Sequence, residues 1–365
     1  MAAEEKPIYY ADYLQLERLL DTQHPVSTQR GHPAHDEMLF IIVHQAFELW
    51  FKQILHELDA VMRMMGAETV AEKDIGRAVH ALRRINEIQR LLIEQLAVLE
   101  TMTPLDFLDF RDDLVPASGF QSVQFRLIEN RLGLTPRHRL KIKGAAYTDV
   151  MSSAHAEQVH ATESEPSLLD HVNGWLERTP FLQFGDFDFW QAYREAVGQM
   201  LERDRRVVAT HPNIDAEERA VQLARFDDMT TTFEALFDRD RWDELRAQGR
   251  RRLSHQAILA ALLINLYRDE PILTLPFRFL TGLVDIDEGF TAWRQRHALM
   301  AHRMIGGRIG TGGTSGHEYL EAAARRHRIF QDLFDLPTFF IPRSSLPPLP
   351  ARVREQLDFR YAERA

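Results

Sequence analysis

Along most of the chain, apolar residues recur every three or four positions, which places them on one face of an α-helix. Strict alternation of apolar and polar residues, the pattern of half-buried strands, is scarce. Prolines and glycines fall mainly between the periodic stretches. The pattern predicts an all-α fold, a large multi-helix bundle with no substantial sheet. The predicted helices are His35–Met65, Glu72–Glu100, Pro104–Leu114, Phe120–Leu132, Leu168–Leu176, Trp190–Arg206, Ala216–Asp238, Ser254–Tyr267, Pro276–Leu283, Asp287–Ile305 and His317–Phe334.

Two segments depart from this helical pattern. Residues Ala145–Pro166 are polar and rich in small side chains, so we expect a mobile connection there. Residues Pro342–Pro350 are rich in proline, and we expect them to lie extended over the surface. We expect a single domain over residues 1–365, with an N-terminal arm at about 1–20 and a proline-rich C-terminal tail at about 342–365.

Composition narrows the classes of function. The formal net charge is -10, so nucleic acid is not an expected partner. The absence of cysteine excludes disulfides, thiolate metal sites, iron–sulfur clusters and thioether-linked haem, and it fits a cytoplasmic location. We expect no membrane partner, because the N-terminus lacks a signal core and no uninterrupted apolar run approaches the ~20 residues of a span. Any bound metal must therefore use imidazole or carboxylate ligands.

His44 lies on a predicted helix that is apolar on almost every face. Phe40, Phe47 and Phe51 are its neighbours at helical spacing. A buried imidazole needs a partner, because an unsatisfied polar group in a core costs ~1–3 kcal/mol. Two interpretations remain open: a core histidine hydrogen-bonded to a neighbour such as Glu48, or a base or acceptor that faces a ligand.

Arg111 is the one charged residue on an otherwise apolar helical face. Arginine is rarely buried without an anion. An internal salt bridge or a snorkelling side chain would explain it. Bidentate binding of a ligand carboxylate would explain it equally well. The other residues of this face are Phe107, Leu108, Leu114 and Val115.

His297 interrupts another apolar stripe, whereas His302 points to a different face of the same helix. Such a histidine is either structural or the proximal ligand of a haem iron, which binds neutral imidazole. The turn Gly310–Gly316 follows, and it lacks the lysine of a phosphate-binding loop. It is either a flexible linker or a backbone that approaches a ligand closely. The stripe around His297 consists of Phe290, Trp293, Met300, Ala301 and Met304.

Taken together, seven segments in this order and at these spacings resemble the tryptophan 2,3-dioxygenase family. The resemblance extends from Tyr10 to about Pro342. The segments are YADYL at Tyr10–Leu14, HDEMLFIIVHQAFELWFKQILHELDAV at His35–Val61, FLDFRDDLVPASGFQSVQFRLIENRLG at Phe107–Gly133, WLERTP at Trp175–Pro180, YRDEPILTLPFRFLTGLVDID at Tyr267–Asp287, WRQRHALMAHRMIG at Trp293–Gly306 and GTGGTSG at Gly310–Gly316.

The resemblance implies a helical haem dioxygenase that assembles as a homotetramer. It implies one non-covalent haem b in each subunit, ferrous in the active form. The implied reaction converts L-tryptophan and O₂ to N-formyl-L-kynurenine, the first step of tryptophan catabolism by the kynurenine pathway. The family's axial iron ligand matches His297, and Trp293, Ser118 and Gly119 match positions beside the cofactor.

The resemblance also implies a substrate site. The distal histidine, the catalytic residue, matches His44, and the carboxylate-binding arginine matches Arg111. Some relatives have tyrosine at position 107; Phe107 lacks that hydroxyl but leaves the arginine in place. The implied substrate-binding residues are Phe40, Ile41, Ile42, Val43, His44, Phe107, Arg111, Ser118 and Thr311, with Tyr10 and Tyr13 reaching the site of a neighbouring subunit.

Two alternatives share these motifs. The first is a haem oxygenase of secondary metabolism that acts on a substituted tryptophan and inserts a single oxygen atom. The second is a non-enzymatic protein that binds haem or tryptophan as a sensor. No second effector module or nucleic-acid module is visible in the sequence, which disfavours the sensor.

Overall fold

The computed structural model describes residues 7–140, 146–180, 183–184, 187–213, 215–308 and 316–357. In these ranges nearly all regular structure is helical, which confirms the predicted all-α class. The strands in the described ranges, β1 (Gln183–Phe184) and β2 (Phe187–Asp188), form a two-residue antiparallel ladder. Gln183 pairs with Asp188, and Phe184 pairs with Phe187.

Most predicted helices are present with shifted ends, and the described residues form six further short α-helices that were not predicted. In chain order the α-helices are α1 (Tyr10–Leu14), α2 (Leu16–Leu19), α3 (Val26–Gln29), α4 (Glu37–Met65), α5 (Glu72–Leu99), α6 (Pro104–Arg111), α7 (Val123–Leu132), α8 (Ser153–Ala161), α9 (Leu168–Glu177), α10 (Phe189–Thr210), α11 (Ala216–Phe237), α12 (Arg239–Ala247), α13 (His255–Leu266), α14 (Pro271–Ile305), α15 (Gly316–Arg326), α16 (Gln331–Asp335) and α17 (Ala351–Leu357). Short 3₁₀ turns lie at Asp112–Leu114, Gly119–Gln121, Pro136–His138, Thr162–Ser164, Leu336–Phe339 and Arg343–Ser345.

Asp287 explains two boundaries that the sequence pattern predicts wrongly. The predicted break between Leu283 and Asp287 is absent, because α14 is one continuous helix. The single predicted helix His317–Phe334 is instead α15 and α16. The Asp287 carboxylate is buried and accepts hydrogen bonds from the backbone N–H groups of Ile329 and Phe330, where α15 has ended. Asp287 therefore interrupts the apolar pattern of the sequence without ending the helix, because its buried carboxylate binds the backbone of a distant segment.

Two expected irregular segments have more structure than their composition suggests. Within Ala145–Pro166, residues Ser153–Ala161 form α8, and the side chain of Val159 is fully buried. The expected mobile connection therefore contains a helix that was not predicted, and its mobility stays a prediction. Ala145 lies outside the described residues. The segment Pro342–Pro350 lies mostly at the surface, as expected, and it is also anchored to the core. The Tyr267 hydroxyl donates to the Pro347 carbonyl oxygen over 2.7 Å, and Leu349 is buried.

The core is built where α5 packs between α4 and α14. Two glycines let α14 approach α5 closely. A Cβ at Gly282 would lie 3.2 Å from the Leu82 side chain, and a Cβ at Gly289 would lie 2.5 Å from Gln89 Oε1. Gln89 is buried and donates to the carbonyl oxygen of Ile286 over 2.9 Å. These contacts fix the position of α14 along the axis of α5.

Among the described helices, α4 is long and apolar enough to cross a membrane, judged by length and composition alone. A core helix passes the same test. In this structure Ile54, Leu58 and Val61 of α4 are fully buried in the protein core. Only 22% of the apolar window of α4 is buried inside the chain, so packing among the described residues explains part of its apolar character.

Candidate functional site

A cavity of about 290 Å³ lies between α4, α6, α7 and the C-terminal half of α14. Aromatic rings form much of its wall, with Phe47 and Phe51 on one side and Phe125 on another. The structure brings eight of the residues singled out from the sequence to this one cavity. They are Phe40, His44, Phe107, Arg111, Ser118, Gly119, Trp293 and His297.

Other residues singled out from the sequence lie elsewhere. Ile41, Ile42 and Val43 are on α4, but successive helical residues point about 100° apart, and these side chains do not line the cavity. Ile42 is exposed, and Val43 is buried in the core. Tyr10 and Tyr13 on α1 are 74% and 70% exposed. Thr311 lies outside the described residues.

The hydrogen bond of His44 is made within its own helix. Its Nδ1 lies 2.7 Å from the carbonyl oxygen of Phe40, and the two rings are in contact with centroids 4.0 Å apart. A carbonyl oxygen can only accept, so Nδ1 carries the hydrogen and Nε2 of the neutral ring is an acceptor. Burial lowers the pKa of His44, and the Phe40 carbonyl and Glu48 offset this only in part.

The partner of His44 is therefore not Glu48, as the first interpretation of the sequence suggested. The Glu48 carboxylate accepts instead from Gln124 Nε2 of α7 over 2.8 Å. This bond ties α4 to α7 at the cavity wall. His44 keeps its Nε2 lone pair for a ligand.

His297 forms another part of the cavity wall, on the last turns of α14. Its ring stacks on Trp293 at a centroid distance of 5.3 Å and an interplanar angle of 4°. The pKa of His297 is lowered to about 4, first by burial and then by the nearby His44 ring, so the imidazole is neutral at pH 7. Its Nδ1 is buried and has no hydrogen-bond partner among the described residues. A neutral imidazole that faces a cavity is the form that binds a metal.

These donors suit a haem iron better than a bare metal ion. The described residues contain no group of three or more histidine, aspartate or glutamate side chains that could hold a metal ion. His297 would be a single protein ligand, as in haem proteins with a proximal histidine. The apolar and aromatic wall, with Trp293 and Phe125 beside His297, suits a flat porphyrin. The residues present therefore fit haem.

Arg111 reaches the cavity from the C-terminal end of α6. The helix begins with a capping box in which Thr103 and Asp106 bond each other's backbone N–H groups. Phe107 and Phe110 of the same helix are buried against Phe40, with ring centroids 5.7 and 5.6 Å away. The Arg111 side chain is mostly buried, and its Nη1 lies 3.1 Å from Asp112 Oδ1, whose side chain is 90% exposed.

Ser118 and Gly119 stand at the 3₁₀ turn that precedes α7. The Ser118 hydroxyl accepts from the Phe120 N–H over 3.3 Å, and its own N–H donates to Gln121 Oε1. The Cβ position of Gly119 has no atom within 4 Å, so the backbone there borders open space. The turn thus offers a small hydroxyl and accessible backbone to a bound molecule.

A buried charge cluster that was not predicted from the sequence lines part of the cavity. Glu129 accepts from Arg126 Nη1 over 3.0 Å, from Arg294 Nη2 over 2.8 Å, and from Arg139. Burial alone would raise the pKa of Glu129, but the three arginines and His327 hold it well below its usual range. Three guanidinium groups surround one carboxylate, so this group of described residues carries net positive charge. The sequence offered one sign of this cluster: Arg294 is a charged residue beside the apolar helical stripe that contains Phe290.

Comparison with known proteins matches this chain to one family. The family described as tryptophan 2,3-dioxygenase matches residues 1–340. The tryptophan 2,3-dioxygenase of Bdellovibrio bacteriovorus is 53% identical over 355 residues, which cover 97% of this chain and 99% of that protein. The enzyme of Alteromonas mediterranea is 46% identical, with 97% and 98% covered. That of Dictyostelium discoideum is 45% identical, with 98% and 90% covered. The chain therefore belongs to the tryptophan 2,3-dioxygenase family.

Proposed function

We propose that this protein cleaves the indole 2,3-bond of L-tryptophan with O₂ and releases N-formyl-L-kynurenine, the first step of tryptophan catabolism by the kynurenine pathway. Membership of the tryptophan 2,3-dioxygenase family over almost the whole chain supports this activity. The observation that carries the proposal is the convergence of His44, Arg111 and His297 from three helices on one cavity. Nothing observed favours a sensor or a monooxygenase.

The proposed cofactor is haem b, one in each subunit, bound without a covalent link and ferrous in the active form. His297 would be its axial ligand, and Trp293, Ser118 and Gly119 would lie against it. The positive charge of Arg126 and Arg294 at the same cavity suits a cofactor that bears two carboxylates. When bound, haem would supply an iron that can bind O₂.

The proposed role of the remaining residues is to orient tryptophan. Arg111 binds the carboxylate through its planar fork of N–H donors. Phe40 and Phe107 pack against the indole ring. His44 Nε2 accepts a hydrogen bond from the indole N–H, and this positioning comes before any role as a base. Thr311, which lies outside the described residues, is proposed from the sequence resemblance to orient the ammonium and carboxylate groups.

We also propose that the protein is a cytoplasmic homotetramer in which Tyr10 and Tyr13 reach the site of a neighbouring subunit. Their exposure in the isolated chain supports burial against another copy. Ile42 and Leu49, two large apolar residues of α4, are also about half exposed. The net charge of -10 supports the absence of a nucleic-acid partner, and the lack of cysteine suits the cytoplasm.

The test is a single turnover with isotopically labelled O₂. Haem-loaded, reduced protein is mixed anaerobically with L-tryptophan and then exposed to labelled O₂. The mass of the product is measured by mass spectrometry. We expect N-formylkynurenine with two labelled oxygen atoms. One labelled atom would support the monooxygenase alternative. Binding of tryptophan without product would support the sensor.

A further inference from the structure

A loop before α4, residues 25–36, which includes the single-turn helix α3, is joined by an ion pair to the turn that follows Arg111. Arg30 Nη1 lies 2.5 Å from Asp113 Oδ1. His32 Nε2, from the same loop, lies 3.5 Å from Asp113 Oδ2. The Asp113 side chain is only 9% exposed, and it belongs to the 3₁₀ turn Asp112–Leu114 that continues directly from α6.

The same loop is tied firmly to α4. Glu37, the first residue of α4, is almost fully buried, and its carboxylate oxygens accept from the N–H groups of Val26 and Ser27 over 2.8 and 3.0 Å. Ala34 N–H donates to the buried Ser27 hydroxyl over 3.0 Å. Both ends of the loop are therefore held, and the position of Arg30 relative to α4 is set.

The loop thus links the two helices that bind opposite ends of the proposed substrate. The helix α4 carries Phe40 and His44, which face the indole, and α6 carries Arg111, which faces the carboxylate. Direct packing between these helices is apolar, through the contact of Phe40 with Phe107. Apolar attraction has no preferred direction. It therefore fixes the distance between two helices better than it fixes their relative position along the helix axes. The bond between Arg30 and Asp113 is directional and charge-assisted.

We propose that Asp113 is a positioning residue for this reaction. By holding Arg30, it fixes the turn after Arg111 relative to the helix of His44, so that one tryptophan engages both residues at once. The proposal rests on the proposed function, because it assumes that Arg111 and His44 bind the same molecule. Asp113 acts through Arg111 and does not itself touch the substrate.

The negative charge of Asp113 makes the direction of the change in substrate affinity informative. Asp113 lies two residues from Arg111, so removal of its negative charge would strengthen carboxylate binding if charge alone mattered. Loss of positioning would weaken it. The two effects have opposite directions, and one measurement separates them.

The experiment compares L-tryptophan with tryptamine, which keeps the indole and the amine but lacks the carboxylate. Binding to the reduced holoenzyme is measured anaerobically by titration calorimetry. In Asp113→Asn we expect the Kd for L-tryptophan to rise about tenfold, and that for tryptamine to stay within about twofold. Arg30→Gln should reproduce both results. The double variant should be no weaker than either single variant, because both remove the same bond.

Asp109→Asn is the matched control. It removes the same charge from an exposed position on α6, and no ion pair of Asp109 is found among the described residues. We expect its affinities to stay within about twofold of the wild type. Arg30→Lys, which keeps a cation near Asp113, should recover part of the affinity.

Unchanged or tighter tryptophan binding in Asp113→Asn would overturn the proposal, and so would an equal loss for both ligands. Circular dichroism checks folding; if Asp113→Asn does not fold, Arg30→Gln at its half-exposed position decides by the same comparison. A wild-type protein that binds L-tryptophan but forms no N-formylkynurenine contradicts the proposed function instead, and it leaves the binding comparison readable.

Discussion

The Nδ1 atom of His44 donates a hydrogen bond to the carbonyl oxygen of Phe40 over 2.7 Å, one turn earlier in α4. This bond orients the ring, selects its tautomer and leaves Nε2 as the acceptor in the cavity. The same turn thereby presents an aromatic face from Phe40 and a hydrogen-bond acceptor from His44. Both features suit an indole, which has a flat face and one N–H donor.

Replacement of His44 should have a moderate effect. His44→Ala removes one neutral hydrogen bond, so we expect kcat/KM for L-tryptophan to fall by about tenfold. Tryptophan methylated on the indole nitrogen offers no N–H, so His44→Ala should not weaken its binding in a calorimetric titration, in contrast to that of L-tryptophan. A complete loss of turnover at unchanged tryptophan affinity would instead assign His44 an essential role in proton transfer.

Replacement of His297 should abolish cofactor binding. His297→Ala removes the proposed axial ligand, so we expect the purified variant to lack the visible haem absorption band or to lose it on dilution. His302→Ala, at an exposed position on the same helix, is the control and should keep a normal spectrum. Wild-type haem content and spectrum in His297→Ala would remove His297 from the iron site.

Replacement of Arg111 should act on substrate affinity. Removal of one partner of a buried charge pair costs ~2–5 kcal/mol, so Arg111→Ala should raise the KM for L-tryptophan by about 100-fold. Asp112→Asn should change KM only about twofold, because an exposed ion pair contributes little. Steady-state kinetics measures both, and a KM unaffected by Arg111→Ala would mean that the carboxylate binds elsewhere.

The cluster around Glu129 should dominate stability near the cavity. Glu129→Gln leaves three buried guanidinium groups without their carboxylate, and we expect a loss of about 3–5 kcal/mol in the free energy of unfolding. Urea unfolding followed by circular dichroism measures this loss. Glu94→Gln on the exposed face of α5 should be neutral. Equal midpoints for the two variants would show that the cluster is not stabilising.

Stability should fall on mild acidification. Burial lowers the pKa of His44 and of His327, so the unfolded chain takes up protons at a higher pH than the folded one. Stability is then lost as the pH falls below about 6.5, the unfolded value. The low pKa of Glu129 affects stability only at lower pH. The raised pKa of Asp287 has the opposite effect, because it favours the folded state as the pH falls.

The midpoint of thermal unfolding should therefore drop by roughly 5 °C or more between pH 7 and pH 5. His327→Gln should flatten this dependence, because the amide can accept from Leu140 N–H as the imidazole does and cannot be protonated. His155→Gln, at an exposed position, should leave the profile unchanged. A flat wild-type profile would contradict the assignment of buried neutral imidazoles.

The helical class and much of the site were predictable because both depend on local spacing. A polar side chain inside an apolar helical stripe is visible in the sequence, and His44, Arg111 and His297 were all found in this way. Periodicity could not decide whether each was structural or functional. The order and spacing of the family motifs selected the functional interpretation, and the structure brings the three residues to one cavity.

The features that were not predicted from the sequence depend on contacts between distant parts of the chain. Arg294 and Glu129 are 165 positions apart, so no local pattern reveals that they pair. Asp287 was misread as a break because its partners, Ile329 and Phe330, lie 42 and 43 positions later in the chain, beyond α15. The anchoring of the tail was not predicted for the same reason, since the Tyr267 hydroxyl, just after α13, donates to the distant Pro347 carbonyl oxygen.

The close approach of α14 to α5 at Gly282 and Gly289 also limits changes in chain length. These contacts hold the middle of α14, and His297 lies eight residues beyond Gly289 on the same uninterrupted helix. One residue inserted between Gly289 and His297 would turn the imidazole by about 100° and shift it by about 1.5 Å. Substitutions in this interval can be tolerated one at a time, whereas an insertion or deletion would turn the imidazole away from the cavity. The number of residues between Gly289 and His297 is therefore more constrained than the identity of most of them.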